Sequence, residues 1–242
     1  MELARLHHVT CVCADAVRTL DFYRDRLGFR LVKKTVNFDD PTSYHLYLGD
    51  ETGAPGSLLT FFEWPDAGRG RVGRGVVDTV ALAVPGLDEA TALEDPDGLR
   101  LELRPGKRPG LDHVVVNGNP DVYSGLVAAD APLRFGEPLA ELGLVGAGIT
   151  HHVAWRAADE AEQRAWQEHL RGLGLRPTET MDRTYFRSIY FRMPDGILFE
   201  IATDGAGFAV DEPADGLGSA LALPDWLEPR REELEGGLRP IF

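Results

Sequence analysis

The tripeptide His7-His8-Val9 occurs a second time as His151-His152-Val153, and the residues downstream of each copy also match. Asp15 returns as Asp159, and Leu27-Gly28-Phe29-Arg30 returns as Leu173-Gly174-Leu175-Arg176, with a two-residue insertion in the intervening helix. A duplicated module is the first expectation for such a chain. In the first copy, residues 6–13 alternate and read as a strand. Asp15 then starts a helix carrying Val17, Leu20, Phe22, Tyr23 and Leu27 at helical spacing, and Gly28 closes it. Strand-like runs come next at 29–36, 43–48 and 57–62, separated by Asp/Pro/Gly/Thr turns. The second copy repeats the order with strand 150–156, helix 159–173 and strands 175–180, 185–192 and 197–203. The fold class expected is α+β, with paired βαβββ modules forming cupped mixed sheets.

Between the copies, 76–84 and 111–116 resemble the opening strand, and Glu94 to Glu102 resembles Arg192 to Glu200. About a dozen residues separate Val84 from that turn, too few for a helix and two strands. The expected division is therefore a complete module over 1–64, abbreviated middle modules and linkers over 65–148, a complete module over 149–210, and a tail with a short helix over 211–242. The Gly/Arg-rich segment 65–75 and residues 104–110 read as connectors. With 25 Lys and Arg against 39 Asp and Glu among 242 residues, the net charge is −14. Such a chain is repelled by nucleic acid and by anionic membranes, so neither is an expected partner. No basic leader precedes an apolar run, and a soluble, cytoplasmic protein is expected. Cys11 and Cys13 share one face of a strand and read as reduced core residues.

Strand neighbours face opposite sides, so one imidazole of each His-His pair is expected on the concave face. His8 and His152 have small neighbours on their faces, which leaves room for an ion. Glu200 lies in the apolar run Ile197-Leu198-Phe199-Glu200-Ile201-Ala202, where an unpaired carboxylate is costly. Two imidazoles and one carboxylate are the donor set of non-haem Fe(II), and Zn²⁺ and Mn²⁺ accept the same donors. The plainer reading makes the histidines structural and pairs Glu200 with Arg156 or Arg192. Neither a Gly-rich strand-to-helix fingerprint, a Gly-x-Ser-x-Gly elbow nor a cysteine ligand cluster occurs.

Several runs carry a family resemblance. These are Leu6-His7-His8-Val9-Thr10, Leu27 through Pro41, Tyr44-His45-Leu46-Tyr47, His151 to Arg156, Asp182-Arg183, Tyr185 to Arg192, Phe199-Glu200 and Gly207-Phe208 through Asp211-Glu212. In them the chain resembles ring-cleaving extradiol dioxygenases of the vicinal oxygen chelate superfamily, in particular the hydroquinone-cleaving group. The resemblance implies His8, His152 and Glu200 as ligands of Fe(II), and His7, Arg183 and Tyr190 as acid, base or electrostatic helpers. It further implies a small aromatic diol and O₂ as reactants, and leaves a homo-oligomer open. Thr60 takes the place in the first module that Glu200 takes in the last. Because Thr60 is a poor ligand, it speaks against the glyoxalase I reaction. Glu102 and His113 form a second carboxylate–imidazole pair by the same alignment, with Thr79 at the third place. Members of the group are longer, with four complete modules. Two alternatives remain at this point: a metal-dependent, glyoxalase-like isomerase or lyase, and a non-catalytic binder of small planar drugs.

Overall fold

Runs of Val, Ile, Leu and aromatic residues broken by glycine and aspartate turns yield thirteen strands, and the computed structural model describes residues 1–241. In chain order the strands are Leu6–Cys13 (β1), Arg30–Asn37 (β2), Asp40–Gly49 (β3), Leu58–Glu63 (β4), Val77–Val84 (β5), Thr91–Glu94 (β6), Arg100–Pro105 (β7), Gly110–Val116 (β8), Leu133–Phe135 (β9), Ile149–Ala157 (β10), Met181–Asp182 (β11), Arg187–Arg192 (β12) and Leu198–Thr203 (β13). Eight of them form one sheet in the order β11-β12-β13-β10-β1-β4-β3-β2. The antiparallel pair β1–β10 lies at its centre, with β4 parallel to β1 and β13 parallel to β10. From the centre outward, the two halves therefore repeat one another. The other five strands form a second sheet, β6-β7-β5-β8-β9, again built around an antiparallel pair, β5–β8.

In the eight-stranded sheet, a helix lies within each crossover that the parallel pairings β1–β4 and β10–β13 require. Asp15 caps the first, its carboxylate accepting the Arg18 N–H at 3.0 Å. That helix, Ala16–Leu20 (α1), runs on into a π-helical turn over Asp21–Arg26, which places Phe22 and Tyr23 in the core. Asp159 caps Glu160–Gly172 (α2), and Glu162 reaches back to the Ala158 amide at 2.7 Å. α2 buries Gln163, Trp166, Gln167 and Leu170. The Gln163 amide is spent on the carbonyls of Arg187 and Ile201, tying the helix to β12 and β13. Both helices end at glycines with positive φ, Gly28 (75°) and Gly174 (79°), the conformation a helix stop demands.

Every residue of β1 is buried, because β1 is covered on both faces. Val9, Cys11 and Cys13 join the main core with Val80, Leu82, Val114, Trp155 and Phe199, so one continuous apolar cluster spans both sheets. A second, smaller cluster of Val32, Tyr47, Leu58, Tyr185, Phe186 and Phe208 lies on the other face. Both cysteines are buried and free, and burial pushes their thiols far above the ordinary range, so they are inert.

Four expectations are corrected. Residues 175–180 form no strand: Pro177 has no N–H to give, and Thr178 instead exchanges bonds with the Tyr190 backbone through its own N–H and hydroxyl (2.9 and 3.0 Å). Segment 65–75 is not a free connector, since its backbone bonds to residues 141–147 (Gly70 N–H to Ala147 O 2.9 Å, Arg74 N–H to Glu141 O 2.8 Å). Glu200 pairs with neither arginine. Arg156 is engaged by Asp204, and Arg192 donates to the Gly196 carbonyl. Last, the histidine pairs break strict alternation, because the ladder that carries them is irregular.

Candidate metal centre and substrate cavity

The β1–β10 ladder slips twice. Leu6 faces Trp155 but His8 faces Ala154, and Thr10 faces His152 but Cys11 faces Thr150. The residues without a partner are His7 and His151. Each is the extra residue of a bulge, which re-aims side chains that a regular pleat would send to opposite faces. As a result Nδ1 of His7 lies 2.9 Å from Nδ1 of His8, and Nδ1 of His151 lies 2.8 Å from Nδ1 of His152. The members of each pair therefore touch; in the first pair His8 alone lines the cavity, as alternation led one to expect, whereas in the second both His151 and His152 do.

The Nε2 atoms of His8 and His152 then turn toward one point. They lie 3.2 and 3.0 Å from Oε2 of Glu200, which β13 presents opposite Ala154. Among the described residues this is the one group of three metal-binding side chains with donor atoms all within 4.8 Å of one another. Glu200 is 0% exposed, yet its Oε2 receives no hydrogen bond, so the two imidazole contacts have the length of hydrogen bonds without their alignment. Its Oε1 accepts the hydroxyl of Ser188. Burial pushes the Glu200 carboxyl up, but His8 and His152 overcome it and hold the group well below the usual carboxylate range. Burial lowers His152, partly opposed by Glu200. Donors about 2.1 Å from one cation at right angles lie roughly 3 Å apart, so an orphaned carboxylate oxygen facing two ring nitrogens fits a divalent ion.

The equivalent corner of the first half is closed. Thr60 stands opposite Thr10 on β4 as Glu200 stands opposite Ala154 on β13. The Thr60 hydroxyl bonds to Thr10 at 2.8 Å and to Nε2 of His45 at 3.0 Å. The registers make His45 the counterpart of Ser188, and Tyr47 the counterpart of Tyr190.

His8 and His152 open onto a cavity of about 390 Å³, also bounded by Phe38, Phe62, Trp64, Phe186, Tyr190 and Arg183. That volume admits a small aromatic molecule. Tyr190 lies edge-on to His152, 5.7 Å between centroids, and burial raises its phenol so that it stays protonated. Arg183 donates Nε to the Tyr190 oxygen at 3.2 Å and its two terminal nitrogens to Asp39 at 3.0 and 3.3 Å. Its neighbour Thr184 has φ +69°, a left-handed conformation that costs a β-branched residue about 1–3 kcal/mol. The Asp182 carboxylate accepts the Thr184 N–H at 2.8 Å and the Phe186 carbonyl accepts the Arg183 N–H at 2.9 Å, which fixes Arg183 in place. His7 does not line this cavity. It lies behind His8 against Phe186, burial and the neighbouring His8 depress it to about 3, and its Nε2 has no partner.

The second sheet repeats the register without a complete set of donors. Its ladder slips at Asp78 and Asp112, directly before Thr79 and His113, and Glu102 stands opposite Ala81. His113 lies 3.7 Å from Glu102, but its Nδ1 is held by Asp112 at 2.6 Å and Glu102 is taken by Arg104 at 2.6 Å. With a threonine in the first place, three donors do not meet there. His45, Ser188 and Asp39 line or brace the main site without having been singled out from sequence. The symmetry between the halves was the signal that could have found Ser188 and His45.

A family model described as "Glyoxalase/Bleomycin resistance protein/Dioxygenase superfamily" matches residues 5–201. The Bacillus subtilis (strain 168) protein named "Putative ring-cleaving dioxygenase MhqA" is 34% identical, with all of both chains aligned. That alignment runs over 316 positions against the chain's 242 residues, so the relative carries segments this chain lacks. "Chlorohydroquinone/hydroquinone 1,2-dioxygenase" of Sphingobium indicum is 28% identical over 95% of this chain and 94% of its own. Among solved structures, one described as a "putative dioxygenase" from Bacillus subtilis superposes with a TM-score of 0.91 at 32% identity, over 99% of this chain and 97% of the other. A glyoxalase I variant from Zea mays, at 15% identity and a TM-score of 0.59 over 83% and 94%, shares the fold alone. From the duplicated strand–helix–strand units, the cupped sheet and the family match over most of its length, the chain belongs to the glyoxalase/bleomycin resistance protein/dioxygenase superfamily.

Proposed function

We propose that this protein is an Fe(II)-dependent ring-cleaving dioxygenase that opens a hydroquinone or catechol with O₂. The observation that carries the reading is the convergence of His8, His152 and an otherwise unsatisfied oxygen of Glu200 beside a cavity walled by aromatic side chains. The names of the relatives support the oxygen chemistry, and Thr60, whose hydroxyl is committed to Thr10 and His45, supports a three-ligand rather than a four-ligand centre. Fe(II) at these residues would supply open coordination positions at which a diol and O₂ become neighbours.

The chain's own atoms do the rest. For Nε2 of His8 to present a lone pair, its proton must sit on Nδ1 and be donated to Nδ1 of His7. His152 and His151 repeat this relation. His7 is thereby a positioning residue. Ser188 donates to Oε1 of Glu200 and leaves Oε2 for the centre. Tyr190 keeps its phenolic proton and can give it to a developing oxyanion, while Arg183 stabilises the negative charge left on the phenol oxygen. Phe38, Phe62 and Phe186 flank the ring and exclude water. One ring C–C bond breaks and both atoms of O₂ enter the product, so no external reductant is required.

The test is oxygen uptake by protein reconstituted anaerobically with Fe(II), then exposed to O₂ with hydroquinone and catechol. The expected result is O₂ consumption matched to ring opening, with kcat of Tyr190→Phe reduced on the order of 10²-fold. Absence of uptake with any diol by iron-loaded protein would overturn the reading.

A further inference from the structure

Arg183 is the one lysine or arginine among the residues that bound the cavity. A carboxylate carried by an entering ring therefore meets this guanidinium as the one lysine or arginine partner the cavity offers. Its fork is already taken: both terminal nitrogens go to the two oxygens of Asp39. The pair joins the two halves, Asp39 from the β2–β3 turn and Arg183 from the loop that leaves β11. The two ends differ in exposure, 16% for the Arg183 side chain and 71% for Asp39. The arginine is fixed inside the cavity wall, and the aspartate closes on it from the rim.

We propose that Asp39 is a specificity-determining residue: by occupying Arg183 it makes the cavity reject aromatic diols that bear a carboxylate and accept uncharged ones. This rests on the dioxygenase reading of the same cavity. A carboxylated ring must break a bidentate ion pair and then sit beside the displaced Asp39, so it is penalised twice. An uncharged ring disturbs neither, and meets the aromatic walls.

The experiment is anaerobic calorimetric titration of the Fe(II)-loaded protein with hydroquinone and with 2,5-dihydroxybenzoate. Wild type is expected to bind hydroquinone more tightly. In Asp39→Asn the preference shifts toward 2,5-dihydroxybenzoate on the order of tenfold, the effect of one freed charge-assisted donor pair. Asp39→Ser shows the same shift, and Asp39→Glu keeps the wild-type ratio. The gain disappears in Asp39→Asn/Arg183→Gln. An unchanged ratio in both neutral variants, or a gain that survives removal of the guanidinium, would overturn the proposal. If wild type consumes O₂ with hydroquinone while the ratio does not move, the role of Asp39 alone falls. If wild type neither binds either diol nor consumes O₂, the dioxygenase reading falls and the inference with it.

Discussion

At the scale of single residues, the site is set by which nitrogen of each imidazole is free. His7 and His151 hold the Nδ1 atoms of His8 and His152, and Ser188 holds one oxygen of Glu200. Partners of this kind are commonly worth 10–100-fold in metal affinity, so Ser188→Ala is expected to weaken iron binding by about that factor. A competition titration against a chelator measures it, and wild-type affinity would contradict the bracing role. His45 gives a pH signature. Burial keeps its ring neutral far below the ordinary range, whereas the unfolded chain takes up the proton near pH 6.5. A base depressed on folding contributes stability above the unfolded pKa that is lost as pH falls through the window down to the folded pKa. Between pH 6.5 and 5, the metal-free wild type should therefore lose stability faster than His45→Gln by up to about 1.4 kcal/mol per pH unit. Buried Glu63 and Asp95, both pushed up by burial, act in the opposite direction but cancel in this comparison. Equal slopes in urea titrations would contradict it. His8 and His152 were legible because the His-His-Val run recurs in both copies. Their true geometry was not, because alternation assumes a regular pleat and His7 and His151 sit at bulges that only the pairing of β1 with β10 creates.

At the scale of elements, the capped helices and most strands arise from local signals, as the caps at Asp15 and Asp159 and the stops at Gly28 and Gly174 show. What failed locally was decided at long range. Residues 175–180 look extended but answer to the Tyr190 backbone and to Gln167 on α2, whose amide reaches the Thr178 carbonyl at 2.6 Å. A further long-range tie is Lys33 on β2, which is fully buried and pairs with both Asp211 and Glu212. Its ammonium lies 4.8 Å from the Tyr185 ring centroid, and the Tyr185 hydroxyl donates to Asp211 at 2.9 Å. This clamp fixes the segment after β13 over the second apolar cluster. Removing one member of a buried ion pair typically costs about 3–5 kcal/mol, so Lys33→Ala is expected to be destabilised by that order. A loss below about 1 kcal/mol in urea unfolding would contradict the clamp.

At the scale of the whole molecule, one apolar cluster runs through both sheets, and ties such as Tyr23 to Asp95 (3.0 Å) and Tyr123 to Asp195 cross between the repeated units and the middle region. Unfolding is therefore expected as one transition, with far-ultraviolet dichroism and tryptophan fluorescence coinciding in urea. Two separated transitions would contradict a shared core. No helix among the described residues is long and apolar enough to cross a membrane. The middle strands β5 to β9 keep the sheet geometry while losing helices and a complete ligand set, which is why Thr79, Glu102 and His113 read in sequence as an incomplete copy. On the dioxygenase reading, His8, His152 and Glu200 hold one ion and the Glu102–His113 pair holds none. Elemental analysis of Fe(II)-reconstituted, chelator-washed protein tests it most directly, with dichroism verifying that each variant is folded. About one iron per chain is expected in wild type and in Glu102→Ala, and close to none in His152→Ala and Glu200→Ala. A folded Glu200→Ala that retains iron at the wild-type level would contradict it.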